Sequence, residues 1–411
     1  MHAHPARHDT RQPPFDSLVT ALNRQSGRVA RGVLAGWVAA GLTVVGLIAP
    51  AASAAQVRRP TFPSPPPFAG EEMTVLEYDP RSTLVVPGTE LGRARYPFID
   101  VHLHLDGTAS REELAELVAG MDSINLQVGV NLSGGTGDLL AAQIRGFEEA
   151  APGRIVVFAN VDFTGVGTPG FGERAAAQLE SDFQIGARGL KIFKDLGMYV
   201  EDVSGQRVGV DDPRLDPIWE KAGELGMPVL IHTADPAEFW APMDQHNERW
   251  LELRERPRRK QEAPPTWEEL IGEQMNLFRR HPNTHFIAAH LGWMGNDLAR
   301  LGSLLDEIPN MHTELGAVIY EPGRQPRFAR EFFIKYQDRI LMGKDRWDPG
   351  EYSTYFRVLE TDDEYFPYYR KYHAFWRMYG LDLPDEVLRK VYFENALKLV
   401  PGLDATRFPG G

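Results

Sequence analysis

The sequence predicts an α/β fold, a parallel (β/α)8 TIM barrel with long strand-helix loops. Three observations carry that expectation. Short apolar runs alternate with amphipathic stretches eight times over about 300 residues, no Gly-rich phosphate fingerprint of the GxGxxG or GxxxxGK[ST] kind marks an open doubly wound sheet, and polar residues recur at the ends of the apolar runs, where barrels of this kind build their sites. The strands are expected at 97–104, 123–132, 154–162, 188–194, 227–232, 284–291, 310–317 and 339–345. Helices are expected at 111–118, 138–150, 172–184, 216–225, 267–280, 297–307 and 325–336, with a last one at 384–399.

The 411 residues, 43% hydrophobic and 25% charged, suffice for a large core and exclude collagen, coiled coil or a disordered chain. There is no Cys, so disulfide scaffolds, thiolate metal sites and cysteine nucleophiles are excluded. A formal charge of -13 argues against a nucleic-acid partner, and the short basic run 254–260 reads as a solvated face.

The N-terminal region reads differently. Arg24, Arg28 and Arg31 precede an uncharged stretch, 32–50, followed by the small residues Ala52, Ser53 and Ala54. That order predicts a cleaved signal peptide over 1–54 and an exported protein, periplasmic or extracellular. The alternative is an N-terminal membrane anchor, because the apolar stretch borders on spanning length, and a membrane contact is expected only in that case. Residues 55–72 are Pro-rich and read as an extended linker, and 73–411 as one barrel domain.

Side-chain alternation along the strands places the chemistry. In the first strand Ile99, Val101, Leu103 and Leu105 face the helices, which leaves Asp100, His102 and His104 facing the barrel axis. In the second, Asn125, Gln127 and Asn131 are expected inward. His232, His290 and Asp345 each close a later apolar run. A His-x-His pair with a third His and an Asp at one rim is a donor set for a divalent cation with one position left open for water. Such a cation lowers the pKa of its water to about 7; Asp345 is then placed to take that proton, and His290 to polarise a carbonyl or protonate a leaving group.

The segments FIDVHLHLDG, GARGLKIFKDLG, MPVLIHTADP, THFIAAHLGW and ILMGKDRWDP, in that order over 96–401, resemble the metal-dependent amidohydrolase superfamily, in particular the amidohydrolase-related branch that includes aminocarboxymuconate semialdehyde decarboxylase. The resemblance implies His102, His104, His232 and Asp345 as metal ligands and His290 as a catalytic assistant. It implies one Zn2+, with Mn2+ or Fe2+ as alternatives. Lys191 matches a fourth-strand lysine that binuclear members carboxylate to bridge two metals; the other reading is a free ammonium that binds a substrate carboxylate or pairs with Asp345, and a single metal is expected. The eighth strand departs from the usual Gly-Thr-Asp, with Lys344 before Asp345 and expected to point away from the metal.

The long segment 233–265 reads as a lid or binding loop, with Trp240 and Asn247 as candidate substrate contacts. Arg324 and Arg346, just past strand ends, are candidates to clamp a carboxylate. Residues 347–379 hold 12 of the 42 aromatic residues and read as a cap on the barrel or a homodimer contact, with stacking on an aromatic or sugar-like substrate as the alternative. The leading functional expectation is hydrolysis of an amide, ester or lactone of a small substrate, aromatic or carboxylated. A non-oxidative decarboxylase or hydratase on the same site is the alternative, and an exported non-catalytic binding protein the second.

Overall fold

The computed structural model describes residues 80–371 and 373–410; the expected signal peptide and linker, 1–72, lie outside the described residues. Eight parallel strands alternate with helices, as expected from the pattern: β1 Phe98–Leu103, β2 Leu126–Asn131, β3 Ile155–Val157, β4 Leu190–Ile192, β5 Val229–Ile231, β6 Phe286–Ala288, β7 Met311–Glu314 and β8 Ile340–Leu341. They form two sheets, β1-β2-β3 and β4 through β8 in order. Single parallel bridges, Leu103 to Asp345 and Ala159 to Leu190, join the sheets on both sides. The Val101 N–H donates to Met342 O at 3.0 Å, and the Asp345 N–H to His102 O at 2.7 Å, so β1 and β8 meet at the rim that carries the polar residues.

The strands are shorter than the apolar runs that announce them. In β2 the difference has a physical cause: Ser110 opens a helix with a capping box to Glu113, and that helix runs from Arg111 to Ile124. Asn125 ends it with a φ of 73°, the left-handed C-terminal position Asn tolerates. Asn125 therefore terminates a helix and is not an inward strand residue. The last expected helix is interrupted as well: Asp385–Arg389 and Asn395–Leu399 flank a wider turn over Lys390–Glu394. The Trp267–Arg280 helix keeps its expected ends, fixed by a capping box of Thr266 and Glu269.

The core is continuous between strands and helices. Helix Asp216–Glu224 buries Ile218, Trp219 and Ala222, and helix Pro349–Glu360 buries Tyr352, Tyr355 and Phe356, of which Tyr352 and Phe356 pack with Phe98 and Tyr392 behind β1. The aromatic-rich segment thus begins as core. No helix among the described residues is long and apolar enough to cross a membrane.

Candidate metal centre

The carboxyl ends of β1, β4, β5, β6, β7 and β8 bring together His102, His104, Lys191, His232, His290, Glu314 and Asp345. The tightest trio of ligand atoms belongs to His102, His290 and Asp345, all within 4.8 Å of one another. His102 Nε2 lies 3.5 Å and His104 Nε2 3.7 Å from Asp345 Oδ1. His232 joins through His290, with Nδ1 3.3 Å from His290 Nε2. Sequence reasoning therefore assembled five groups that the fold does place in one cluster, although His290 sits closer to Asp345 than an outlying assistant would.

Strand geometry explains the placement. In β1 the Asp100 carboxylate turns back to accept the His102 N–H at 2.8 Å and the Tyr352 hydroxyl at 2.6 Å. Burial raises Asp100 to about 7 against the hydrogen bond from Tyr352. After β6 the chain winds left-handed for four residues, with φ of 60° at His290, 54° at Leu291, 59° at Gly292 and 56° at Trp293. Three of these are not glycine, and each such residue costs roughly 1–2 kcal/mol. Asp345 is also left-handed, with φ 85°. Strain of this kind persists where the surroundings hold it and clusters at functional sites.

Burial sets the charge states. It pushes His102, His232 and His290 below the ordinary imidazole range, and with the Lys191 charge it brings His104 down to about 4. Neutral imidazoles keep a lone pair for a cation. Burial works against the Asp345 carboxylate, but the facing His102, His290 and His104 rings and Lys191 outweigh it and hold Asp345 at about 2. Burial also lowers Lys191, opposed by Glu314 and Asp345. Lys191 is 1% exposed and its Nζ has no hydrogen-bond partner. His102 Nε2 and His232 Nε2 are likewise buried without a partner. Three buried nitrogens left open beside an ionised carboxylate are costly unless something fills the space between them, and the set fits a divalent cation with an anionic group of a substrate.

Two residues of the centre escaped sequence reasoning. Glu314, fully buried at the end of β7, accepts from His102 Nδ1 at 2.9 Å and from the His290 N–H at 2.6 Å. Phe193 lies two residues after Lys191, its ring 5.6 Å from the His104 ring and 5.4 Å from Lys191 Nζ. Period-2 alternation from Lys191 was the signal for Phe193, whereas Glu314 closes the strand MHTE, whose residue types give no comparable mark.

Other expected positions lie elsewhere. Trp240 donates to Pro265 O at 2.9 Å, and the Asn247 amide donates to Glu238 O and Pro242 O, so the 233–265 loop takes up both on itself. Arg324 is already paired, with Glu248 and with Glu321, and lies 4.2 Å over the Trp376 ring; it is not a free clamp. The reason is common to all three: buried polar groups are satisfied by pairing, Trp240 and Asn247 within their loop and Arg324 at the end of the helix Tyr320–Arg324. Arg346 is exposed at the rim. Lys344 points away from the cluster, as expected, to Glu351 and the Arg346 carbonyl. Lys194, in opposite phase to Lys191, is held by Asp235 at 2.7 Å and is not free in solvent.

The sequence profile of the amidohydrolase family matches residues 99–402. No curated protein matches the chain. Among solved structures, 2,6-dihydroxybenzoate decarboxylase from Rhizobium is 14% identical, covering 74% of this chain and 98% of that one at a TM-score of 0.46. A 4-oxalomesaconate hydratase from Rhodopseudomonas palustris is 14% identical, covering 75% and 97% at 0.46. A probable 2-pyrone-4,6-dicarboxylic acid hydrolase from Acinetobacter baumannii is 13% identical, covering 74% and 98% at 0.40.

Proposed function

The chain belongs to the amidohydrolase family, and from that premise we propose that it is a metal-dependent hydrolase acting on an amide, ester or lactone of a small anionic substrate. The observation that carries the reading is the trio of buried, unpartnered nitrogens, His102 Nε2, His232 Nε2 and Lys191 Nζ, around an ionised Asp345. His102, His104, His232 and Asp345 would hold one divalent cation, zinc being the first choice for three imidazoles and a carboxylate. When bound, the cation supplies the charge that acidifies a water and polarises a carbonyl.

The chain's own groups do the rest. Asp345, ionised at neutral pH, is the acceptor for a proton leaving the water. His290 has its Nδ1–H committed to Gly316 O at 2.7 Å, so its Nε2 is a lone pair in the resting chain and passes a proton to the leaving group only after taking one up during turnover. Lys191 needs no carboxylation on this reading: as an ammonium without a partner it binds an anionic group of the substrate. Phe193, 36% exposed beside Lys191 and His104, offers a ring face to a planar portion of the same molecule. Export through residues 1–54 remains part of the proposal.

The test is a screen of purified, metal-loaded protein against small carboxylated esters, amides and lactones, read by mass spectrometry. Two fragments from an ester or amide, or a ring-opened hydroxy acid from a lactone, support the reading. Release of CO2, or hydration without cleavage, from a carboxylated substrate would replace it with a lyase on the same residues.

A further inference from the structure

We propose that Glu314 is a positioning residue that fixes which ring nitrogen carries the proton in His102, His290 and His232, and thereby turns the two open Nε2 atoms toward the cation site as lone pairs. Glu314 Oε1 accepts from His102 Nδ1 at 2.9 Å and from the His290 backbone N–H at 2.6 Å, and its other oxygen accepts from the Gly316 N–H. With its proton on Nδ1, a neutral His102 has its lone pair on Nε2, the buried atom without a partner.

The second arm runs through Gly316. A carbonyl can only accept, so the 2.7 Å contact from His290 Nδ1 to Gly316 O requires the proton on Nδ1. A neutral His290 then has its lone pair on Nε2, and the 3.3 Å contact with His232 Nδ1 makes His232 the donor. That leaves the lone pair of His232 on Nε2, the other unpartnered atom. Glu314 holds this arm at both ends, through the amides of His290 and Gly316. It also explains why the left-handed turn after β6 is tolerated: the turn aims the His290 N–H at a buried carboxylate.

The space around Glu314 is tailored to it. A Cβ on Gly343 would come 2.1 Å from Glu314 Oε2, and one on Gly316 would come 2.7 Å from Oε2 and 3.1 Å from His102 Nδ1. Partners that orient metal-binding imidazoles in this way are worth about 10- to 100-fold in metal affinity.

The inference rests on the metal-site reading for its consequence, while the proton positions belong to the metal-free chain. Two measurements test it. In the full chain labelled with 15N-histidine and freed of metal, long-range 1H–15N spectra should show His102, His232 and His290 as Nδ1–H tautomers; a proton on Nε2 of His102 or His290 overturns the proposal. Glu314→Gln, checked for parental circular dichroism and cooperative unfolding, should bind zinc about 10- to 100-fold more weakly than the parent, and an affinity within threefold of the parent overturns it. If that variant does not fold, the spectra of the parent decide alone. A parent that binds no zinc removes the proposed function and leaves the tautomer result standing.

Discussion

The two ends of the barrel carry histidines in similar number and treat them differently. At the carboxyl end His102, His104, His232 and His290 crowd around Asp345 and Glu314, with Nε2 atoms of His102 and His232 left open. At the amino end His285 and His312 meet edge to face with ring centroids 5.5 Å apart, and no carboxylate among the described residues joins them as a third ligand. Polar groups there close backbone ends instead. The Asn310 amide donates to Phe278 O, His281 O and Thr284 O at 2.9–3.0 Å, Thr284 Oγ1 donates to Trp219 O at 2.8 Å, and His281 Nε2 faces Asp216 at 3.1 Å. The difference teaches that histidine count says little. Convergence of imidazoles on carboxylates, with open nitrogens and strained backbone, separates a site from a seam.

Substitutions can break that contrast. The largest effect is expected from His102→Ala or His232→Ala, which should abolish retention of zinc through gel filtration while the chain still unfolds cooperatively; equal metal content in variant and parent would take these residues off the ligand set. Asp345→Asn should keep part of the metal and lower turnover about 10²- to 10⁴-fold, the range for a positioned proton acceptor; unchanged turnover would remove that role. Gly343→Ala pushes a methyl group onto Glu314, and should weaken zinc binding about tenfold or more and cost about 1–3 kcal/mol of stability by overpacking.

At the amino end the expected pattern reverses. Asn310→Ala removes the side-chain donor from three carbonyls, of which His281 O keeps the Thr284 N–H, and should lower unfolding stability by about 1–3 kcal/mol, with zinc affinity as in the parent. His285→Gln, at an exposed position, should change stability by less than about 0.5 kcal/mol and leave metal binding untouched. A metal-binding defect in either variant would show that the two ends are not separate in function.

Much of this was legible because strands repeat with period 2 and the fold places all strand ends on one rim. His102 and His104 share a face at i and i+2, and His232, His290 and Asp345 each follow an apolar run, so their convergence could be read before any coordinates. Glu314 could not be ranked the same way: in MHTEL it follows Thr313, and nothing in one strand tells that its carboxylate will reach β1 and the turn after β6. Asn125 misled because an apolar period can continue from a helix into a strand across a left-handed cap. Trp240, Asn247 and Arg324 misled for another reason. Trp240 and Asn247 lie in an irregular segment and Arg324 ends the short helix Tyr320–Arg324, and their polar groups are satisfied by pairings between distant residues, such as Arg324 with Glu248, that no period announces.

The central claim is that one cation belongs at the carboxyl rim and none at the opposite end. Crystals of the metal-loaded protein, measured at the zinc, manganese and iron edges, would locate it. The account predicts one anomalous peak within about 2.0–2.3 Å of His102, His104, His232 and Asp345 donor atoms, and no added carboxylate on Lys191. A rim without a peak, or a peak between His285 and His312 instead, would contradict it.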